Sequence, residues 1–142
     1  MPDVAVALSG GVDSSVAATL LAEAGHDVVG VTMDLGLAGS DATDRARDVC
    51  AHLGIPHVVI DLAAPFADRV VRPFADAYAA GRTPNPCVSC NERIKFGLLA
   101  ERVRQLGASA LATGHYARIV REDGHAWLER GADSAKDQSY FL

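Results

Sequence analysis

A doubly wound α/β fold, with a parallel sheet and a C-terminal hairpin, is what this sequence predicts, and three observations carry that expectation. Short β-branched apolar runs alternate with segments of helical length that are apolar on one face. Gly25, Gly54 and Gly107 stand where left-handed helix ends are needed. The first apolar run, moreover, passes straight into a glycine- and serine-rich turn, SGGVDSS, that opens a helix. In open parallel sheets such turns lie at the carboxyl ends of the strands, where ligands bind.

The elements follow in order. Val4, Val6 and Leu8 belong to a first strand, Asp27 to Met33 to a second and His57 to Asp61 to a third, each short enough to be buried on both faces. Between the second and third strands, Ala46, Val49, Cys50 and Leu53 share one helical face, and Cys50 is expected to be an inert core residue. Phe66, Val70, Phe74, Ala77 and Tyr78 mark a third helix with a kink at Pro73. Ile94, Leu98, Leu99, Val103 and Leu106 mark a fourth. Ala110 to Thr113 reads as the next strand. Ala117 to Val120 and Ala126 to Glu129 form a hairpin around the turn at Glu122, Asp123 and Gly124.

The SGGVDSS turn has a definite chemistry. Gly10 and Gly11 lack Cβ atoms, so the backbone can adopt left-handed torsions and converge its N–H groups. A nest of this kind at a helix N-terminus attracts phosphate oxygens. Ser9, Ser14 and Ser15 add hydroxyl donors, whereas Asp13 repels a bare phosphate and makes better sense with a cation such as Mg²⁺ between them. The alternative is an ordinary capped strand-to-helix turn, which accounts for Gly10 and Ser14 but not for two glycines, serines and an aspartate together. Neither the Walker pattern with its lysine nor G-x-G-x-x-G is present.

Composition sets the outer limits. With 142 residues, 49% hydrophobic and 22% charged, the chain can bury a core, and neither disorder nor a disulfide-stapled scaffold is expected. Three cysteines and no basic leader point to a cytoplasmic protein without structural disulfides. No run is long enough for a membrane span. The net charge of −5 argues against indiscriminate nucleic-acid binding, but it is uneven: 3 Lys or Arg against 10 Asp or Glu in residues 1–71, and 10 against 8 in residues 72–142. A polyanionic partner meets the second half more easily.

A second chemical segment is AGRTPNPCVSCN, residues 80–91. Pro84 and Pro86 are expected to hold it out of regular helix, with Asn91 capping the helix that follows and Cys90 at or next to its start. The helix terminus, Arg93 and Lys95 would then favour the thiolate of Cys90. A zinc site needs about four ligands, and this chain offers one C-x-x-C pair, Cys87 and Cys90. An iron–sulfur cluster is a better match than zinc if a further cysteine is supplied from outside the chain, but it is not the favoured reading. Singly, His115 and the Lys136–Asp137–Gln138 cluster are as compatible with structural roles as with ligand contacts.

SGGVDSS resembles the PP-loop of the ATP pyrophosphatases, the adenine nucleotide alpha hydrolase-like enzymes that cleave ATP between its α and β phosphates. Taken in order with GRTPNPCVSCNERIKF, ATGHYAR and SAKDQSYFL, it resembles the tRNA-specific 2-thiouridylases, and these motifs span nearly the whole chain. The resemblance implies ATP and Mg²⁺ as cofactors, tRNA as substrate and a persulfide-relay protein as sulfur donor. It implies adenylation of the C2 oxygen of the wobble uridine, then sulfur transfer from a cysteine persulfide as AMP leaves.

Carried over by motif, Ala7, Leu8, Ser9, Gly10, Gly11, Val12, Asp13, Ser14, Met33 and Gly114 would hold ATP, and Cys90 would be the first catalytic cysteine. Asn85, Pro86 and Cys87 would approach the target base, His115, Lys136, Asp137 and Gln138 would touch tRNA, and no residue is assigned to a resident metal. Many family members have Asp where this chain has Cys87, so a carboxylate's proton-transfer role does not carry over. The segment between Met33 and Ala46 is also shorter than in many relatives. Residues 1–142 are thus expected to be the PP-loop adenylating domain of a longer protein, with the family's second catalytic cysteine and its central and β-barrel domains outside the chain. Two alternatives remain at this point: another PP-loop adenylating enzyme, such as an ammonia-using synthetase, and a non-catalytic nucleotide- or cluster-binding module.

Overall fold

The computed structural model describes residues 1–37 and 41–142. Part of the short segment between Met33 and Ala46 therefore lies outside the described residues. Strands β1 (Val4–Ala7), β2 (Val28–Asp34), β3 (His57–Asp61) and β4 (Ala110–Ala112) form one parallel sheet in the order β3-β2-β1-β4. Val4 lies opposite Val28 on one side and Ala110 on the other. The chain builds outward from β1 through β2 to β3 and then returns to place β4 on the opposite side of β1. The sheet therefore switches direction between β1 and β4, where a crevice opens at the strand ends.

Alternation along the strands decides which helix covers which face. Val4, Val6, Leu8 and Val28 pack with Ala18 of α1 (Val12–Glu23) and with Ala46 and Cys50 of α2 (Ala42–Leu53). Ala5, Val29 and Val31 pack on the opposite face against Val70, Ile94, Leu99 and Val103. These four come from two longer helices, α3 over residues 63–79 and α4 over residues 86–105. The predicted doubly wound architecture is thus present. Buried Thr32 ends the α1/α2 face by donating to the Leu8 carbonyl at 3.0 Å and pairing with His57 Nε2 at 2.9 Å.

Both α3 and α4 contain a wide π-helical segment, Ala67–Val71 in the first and Asn91–Leu99 in the second. The Arg72 N–H bonds the Ala67 carbonyl five residues back, and Ala100 bonds Lys95 in the same way. In α3 the widened turn directly precedes Pro73, which cannot donate a backbone bond. The kink expected at Pro73 is therefore taken up by a π segment inside one continuous helix.

Gly25 and Gly54 close α1 and α2 with left-handed torsions, φ +86° and +68°. The hairpin pairs β5 (Ala117–Glu122) with β6 (His125–Arg130); the first strand starts where the sequence predicts and runs two residues further, and the second is one residue longer at each end. Asp123 and Gly124 both have positive φ, as a two-residue I′ turn requires. The hairpin is a separate two-stranded sheet. Among the described residues no helix is long and apolar enough to cross a membrane.

Cys50 is 1% exposed, and burial pushes its thiol above the ordinary value. It fits because Gly30 of β2 has no side chain: a Cβ there would stand 2.3 Å from Cys50 Sγ and 2.7 Å from Leu8 Cδ1. Gly30→Ala is therefore expected to cost about 2 kcal/mol of stability through overpacking, measured by urea unfolding. Adding Cys50→Ala should recover part of that loss. An unchanged unfolding midpoint for Gly30→Ala would show that the α2 contact is slack.

Candidate functional site

A cavity of about 470 Å³ opens at the switch between β1 and β4. Its wall is made by Ala7, Leu8, Ser9, Asp13 and Ser14 from the end of β1 through the start of α1, and by Val31 to Leu35 from β2 and the residue that follows it. Leu37, Ala42 and Thr43 precede or open α2, Thr113 to His115 follow β4, and Lys95 and Gln138 complete the wall. Of the residues expected at the nucleotide, Ala7, Leu8, Ser9, Asp13, Ser14, Met33 and Gly114 line the cavity, whereas Gly10, Gly11 and Val12 lie outside its wall.

The turn is knotted by its own serines. The Ser9 N–H donates to Ser14 Oγ at 3.3 Å, the Gly11 N–H to Ser9 Oγ at 3.4 Å, and Ser15 Oγ to the Gly11 carbonyl at 2.7 Å. Gly11 is the N-cap of α1 and no side chain caps it, so first-turn N–H groups are left for a bound anion or water. Gly10, at φ +72°, has a further duty. A Cβ there would meet Arg45 Cβ at 2.6 Å and the Ala42 carbonyl at 2.9 Å, so the glycine lets α2 pack against the turn.

The loop after β4 presses directly onto α1. A Cβ on Gly114 would stand 2.7 Å from the Asp13 carbonyl carbon and from Ser14 N. Beyond it, His115 Nδ1 pairs with Thr113 Oγ1 at 2.7 Å, and the ring lies about 6.1 Å from the rings of Phe96 and Phe141. Burial, then the Lys95 charge, hold His115 below its ordinary pKa, so it is neutral near neutrality. Tyr116 reaches back to Asp13, its hydroxyl donating to Oδ1 at 2.8 Å. That carboxylate pushes the phenol pKa up.

The Lys136–Asp137–Gln138 cluster divides by role. Lys136 Nζ sits 5.3 Å above the Tyr116 ring. Gln138 pairs with the Tyr116 backbone in both directions, at 2.8 and 2.9 Å. The Asp137 carboxylate accepts from Gly131 N, Ser139 N and Ser139 Oγ, and these bonds, led by Gly131, hold its pKa down. Asp137 thus ties the end of the hairpin to the 3₁₀ turn Ser139–Phe141.

The cysteine segment differs from expectation in three respects. Asn85, not Asn91, is the cap: its Oδ1 accepts from Cys87 N at 3.0 Å, and Pro86 begins the helix. Proline suits a first helical position because the missing N–H would have had no partner there. Asn91 is instead 1% exposed, donating from Nδ2 to the Phe141 carbonyl at 3.0 Å while its Oδ1 is buried without a partner. Cys90 accordingly lies a full turn inside α4 and packs against the core, outside the cavity wall. Burial, reinforced by Cys87 and only partly offset by Lys95, raises its thiol pKa, the reverse of the expected thiolate stabilisation. Cys87 is exposed at the head of the helix.

Lys95 is the residue that sequence reasoning passed over as a site residue. It is the one Lys or Arg in the cavity wall, and none of the ion pairs among the described residues involves it. In an α-helix residues five apart point to different faces, at 100° per residue. In a turn closed by i→i+5 bonds they come round nearer to one another, which explains why Lys95 acts on Cys90 as well as on His115. Among the described residues no three His, Cys, Asp or Glu side chains gather as a metal site.

Fold and site together define an α/β domain of the PP-loop ATP pyrophosphatase class. Residues 2–142 match the family described as the tRNA methyl transferase HUP domain, and the chain belongs to that family. It is 53% identical over its whole length to the tRNA-specific 2-thiouridylase MnmA of Trichlorobacter lovleyi, covering 42% of that protein. It is 54% identical to that of Chloroflexus aggregans, covering 43%. The chain therefore spans about two fifths of these relatives. Among solved structures it is similar to the U34-tRNA thiolase NcsA of Methanococcus maripaludis, solved with its [4Fe-4S] cluster. The TM-score is 0.59 at 27% identity, over 80% of this chain and 38% of that one. A predicted subunit of tRNA methyltransferase from Methanocaldococcus jannaschii also gives a TM-score of 0.59, at 25% identity over 87% and 55%.

The reactivity of Cys90 follows from its surroundings. A thiol with a raised pKa carries less thiolate at a given pH, so its alkylation by iodoacetamide, followed by peptide mass mapping, should rise at a pH above that of an ordinary cysteine. Lys95→Met removes the one offsetting cation and should move the rise higher still. A rise at ordinary or lower pH, or no response to Lys95→Met, would contradict this placement of the thiol.

Proposed function

We propose that this chain is the ATP-binding, adenylating domain of a longer cytoplasmic tRNA 2-thiouridylase. One observation carries the reading: about half the residues are identical over the whole chain to proteins named for that activity, and motifs far apart in sequence converge on one cavity. The family description speaks of methyl transfer and the relatives' names of sulfur transfer. The cysteine pair of this chain favours the second, since moving sulfur calls for thiols and moving a methyl group does not.

The cavity suits ATP. Uncapped N–H groups of α1 and the Ser9 and Ser14 hydroxyls accommodate phosphate oxygens, Lys95 supplies a cation, and Met33 with Leu35 offers an apolar wall for the base. A divalent cation between Asp13 and the phosphates would neutralise charge there. In the reaction, the uridine C2 oxygen attacks the α-phosphorus and the bond to the β-phosphate breaks, releasing pyrophosphate. A carbonyl oxygen is a poor leaving group, and attachment of AMP makes it a good one.

The outer sulfur of a protein persulfide, supplied by a donor protein, then adds to C2 as AMP departs. The Cys90 thiolate attacks the remaining S–S bond, leaving sulfur on the base and forming a disulfide with the carrier cysteine, which a thiol reductant reopens. Cys90 must first lose its proton, which burial of the thiol opposes and the Lys95 charge favours. Asn85, Pro86 and Cys87 at the head of α4 would approach the base, while His115, Lys136 and Gln138 would meet tRNA. Asp137 serves that contact indirectly, by fixing the turn that presents its neighbours.

Cys90→Ala in the full-length protein is expected to abolish 2-thiouridine formation, read by mass spectrometry of digested tRNA, while ATP affinity stays within about twofold because Cys90 lies outside the cavity wall. Retained thiolation would refute the assignment of Cys90. Absence of 2-thiouridine with the wild-type protein would refute the function itself.

A further inference from the structure

We propose that Tyr116 is a positioning residue for Asp13, fixing one oxygen of the carboxylate so that the other is presented to the cation of a metal–nucleotide complex. The inference rests on the ATP reading above and adds a residue to that site. Asp13 is the only carboxylate contributed to the cavity by α1, and it lies in the first turn, where the helix's partial positive charge favours an anion. It is exposed and no positively charged side chain among the described residues pairs with it. Left to itself, such a carboxylate would rotate freely.

One hydrogen bond prevents that. The Tyr116 hydroxyl donates to Asp13 Oδ1 at 2.8 Å across 103 residues of sequence, and Oδ2 accepts no hydrogen bond among the described residues. The phenol is itself held from three sides. Its backbone is paired in both directions with Gln138, Lys136 lies over its ring, and Gly114, two residues before it, allows the loop to rest on Asp13 and Ser14. A donor so fixed sets both the torsion of the carboxylate and the direction of its free oxygen, as the outer partners of metal-binding carboxylates do. Tyr116 is absent from the cavity wall, so it acts through Asp13 and not on the nucleotide.

The test is calorimetric titration of the full-length protein with α,β-methylene-ATP, once with magnesium and once in EDTA. Tyr116→Phe keeps the ring beneath Lys136 and the backbone pair with Gln138, and an unchanged thermal unfolding midpoint confirms that it folds. It should weaken binding about tenfold with magnesium and by less than about twofold in EDTA, because the clamp matters only where a cation engages Asp13. In an Asp13→Asn background the same substitution should add nothing.

Equal losses in both conditions would make Tyr116 a merely structural residue and overturn the proposal. So would an unaffected magnesium titration, or a loss that persists beside Asp13→Asn. Wild-type protein that binds the analogue in neither condition would overturn the ATP reading and the clamp with it, whereas wild-type binding with an indifferent Tyr116→Phe would overturn the clamp alone.

Discussion

The site depends on the close approach of the loop after β4 to the first turn of α1. Strand β4 pairs with β1 through only three residues, Val4 to Val6 opposite Ala110 to Ala112. That short ladder brings Gly114 so near Asp13 and Ser14 that a single added carbon would overlap their backbone. Because the contact is backbone to backbone, it leaves little slack. His115 is placed on the cavity and Tyr116 against Asp13 by the same loop. Remove the approach and the glycine- and serine-rich turn stands alone, as one side of the cavity wall.

The two π segments form a second theme. Both belong to helices on the same face of the sheet, and each inserts its wide turn where a regular helix would misplace something. In α3 the widening accommodates Pro73; in α4 it brings Lys95 toward both the cavity and Cys90. Such widened turns are uncommon and frequent near functional sites. At the start of the second one, Asn91 is buried with an unpaired oxygen, a disposition that costs free energy. Its Nδ2 holds the Phe141 carbonyl, which anchors the C-terminal turn whose Gln138 closes the cavity and whose Phe141 flanks His115.

The charge of the cavity is of a piece with this economy. A polyanion would meet only one fixed cation, Lys95, together with hydroxyls, helix N–H groups and a neutral imidazole, while Asp13 and Asp34 add negative charge. The half of the chain that carries the SGGVDSS turn is itself acidic. On the proposed ATP reading, Asp13 would disfavour a free anion and favour one that arrives with its cation. The basic excess lies in residues 72–142, with the α4 head and the C-terminal turn, the surfaces that suit a larger polyanion.

What the sequence determined by itself was most of the local structure. The strand and helix order, the left-handed ends at Gly25 and Gly54, the Asp123–Gly124 hairpin turn and the glycine- and serine-rich turn after β1 each follow from a few neighbouring residues, whose torsional preferences act over one or two turns. The family resemblance, too, was legible in four contiguous motifs. Tertiary structure decided the rest. Capping by Asn85 in place of Asn91, burial of Cys90, the reach of Lys95 into the cavity and the Tyr116–Asp13 bond all depend on helix phase or on contacts across many residues. Desolvation in particular reversed the sign of the Cys90 shift, because a neighbouring charge can be read from spacing whereas burial is a property only of the packed molecule.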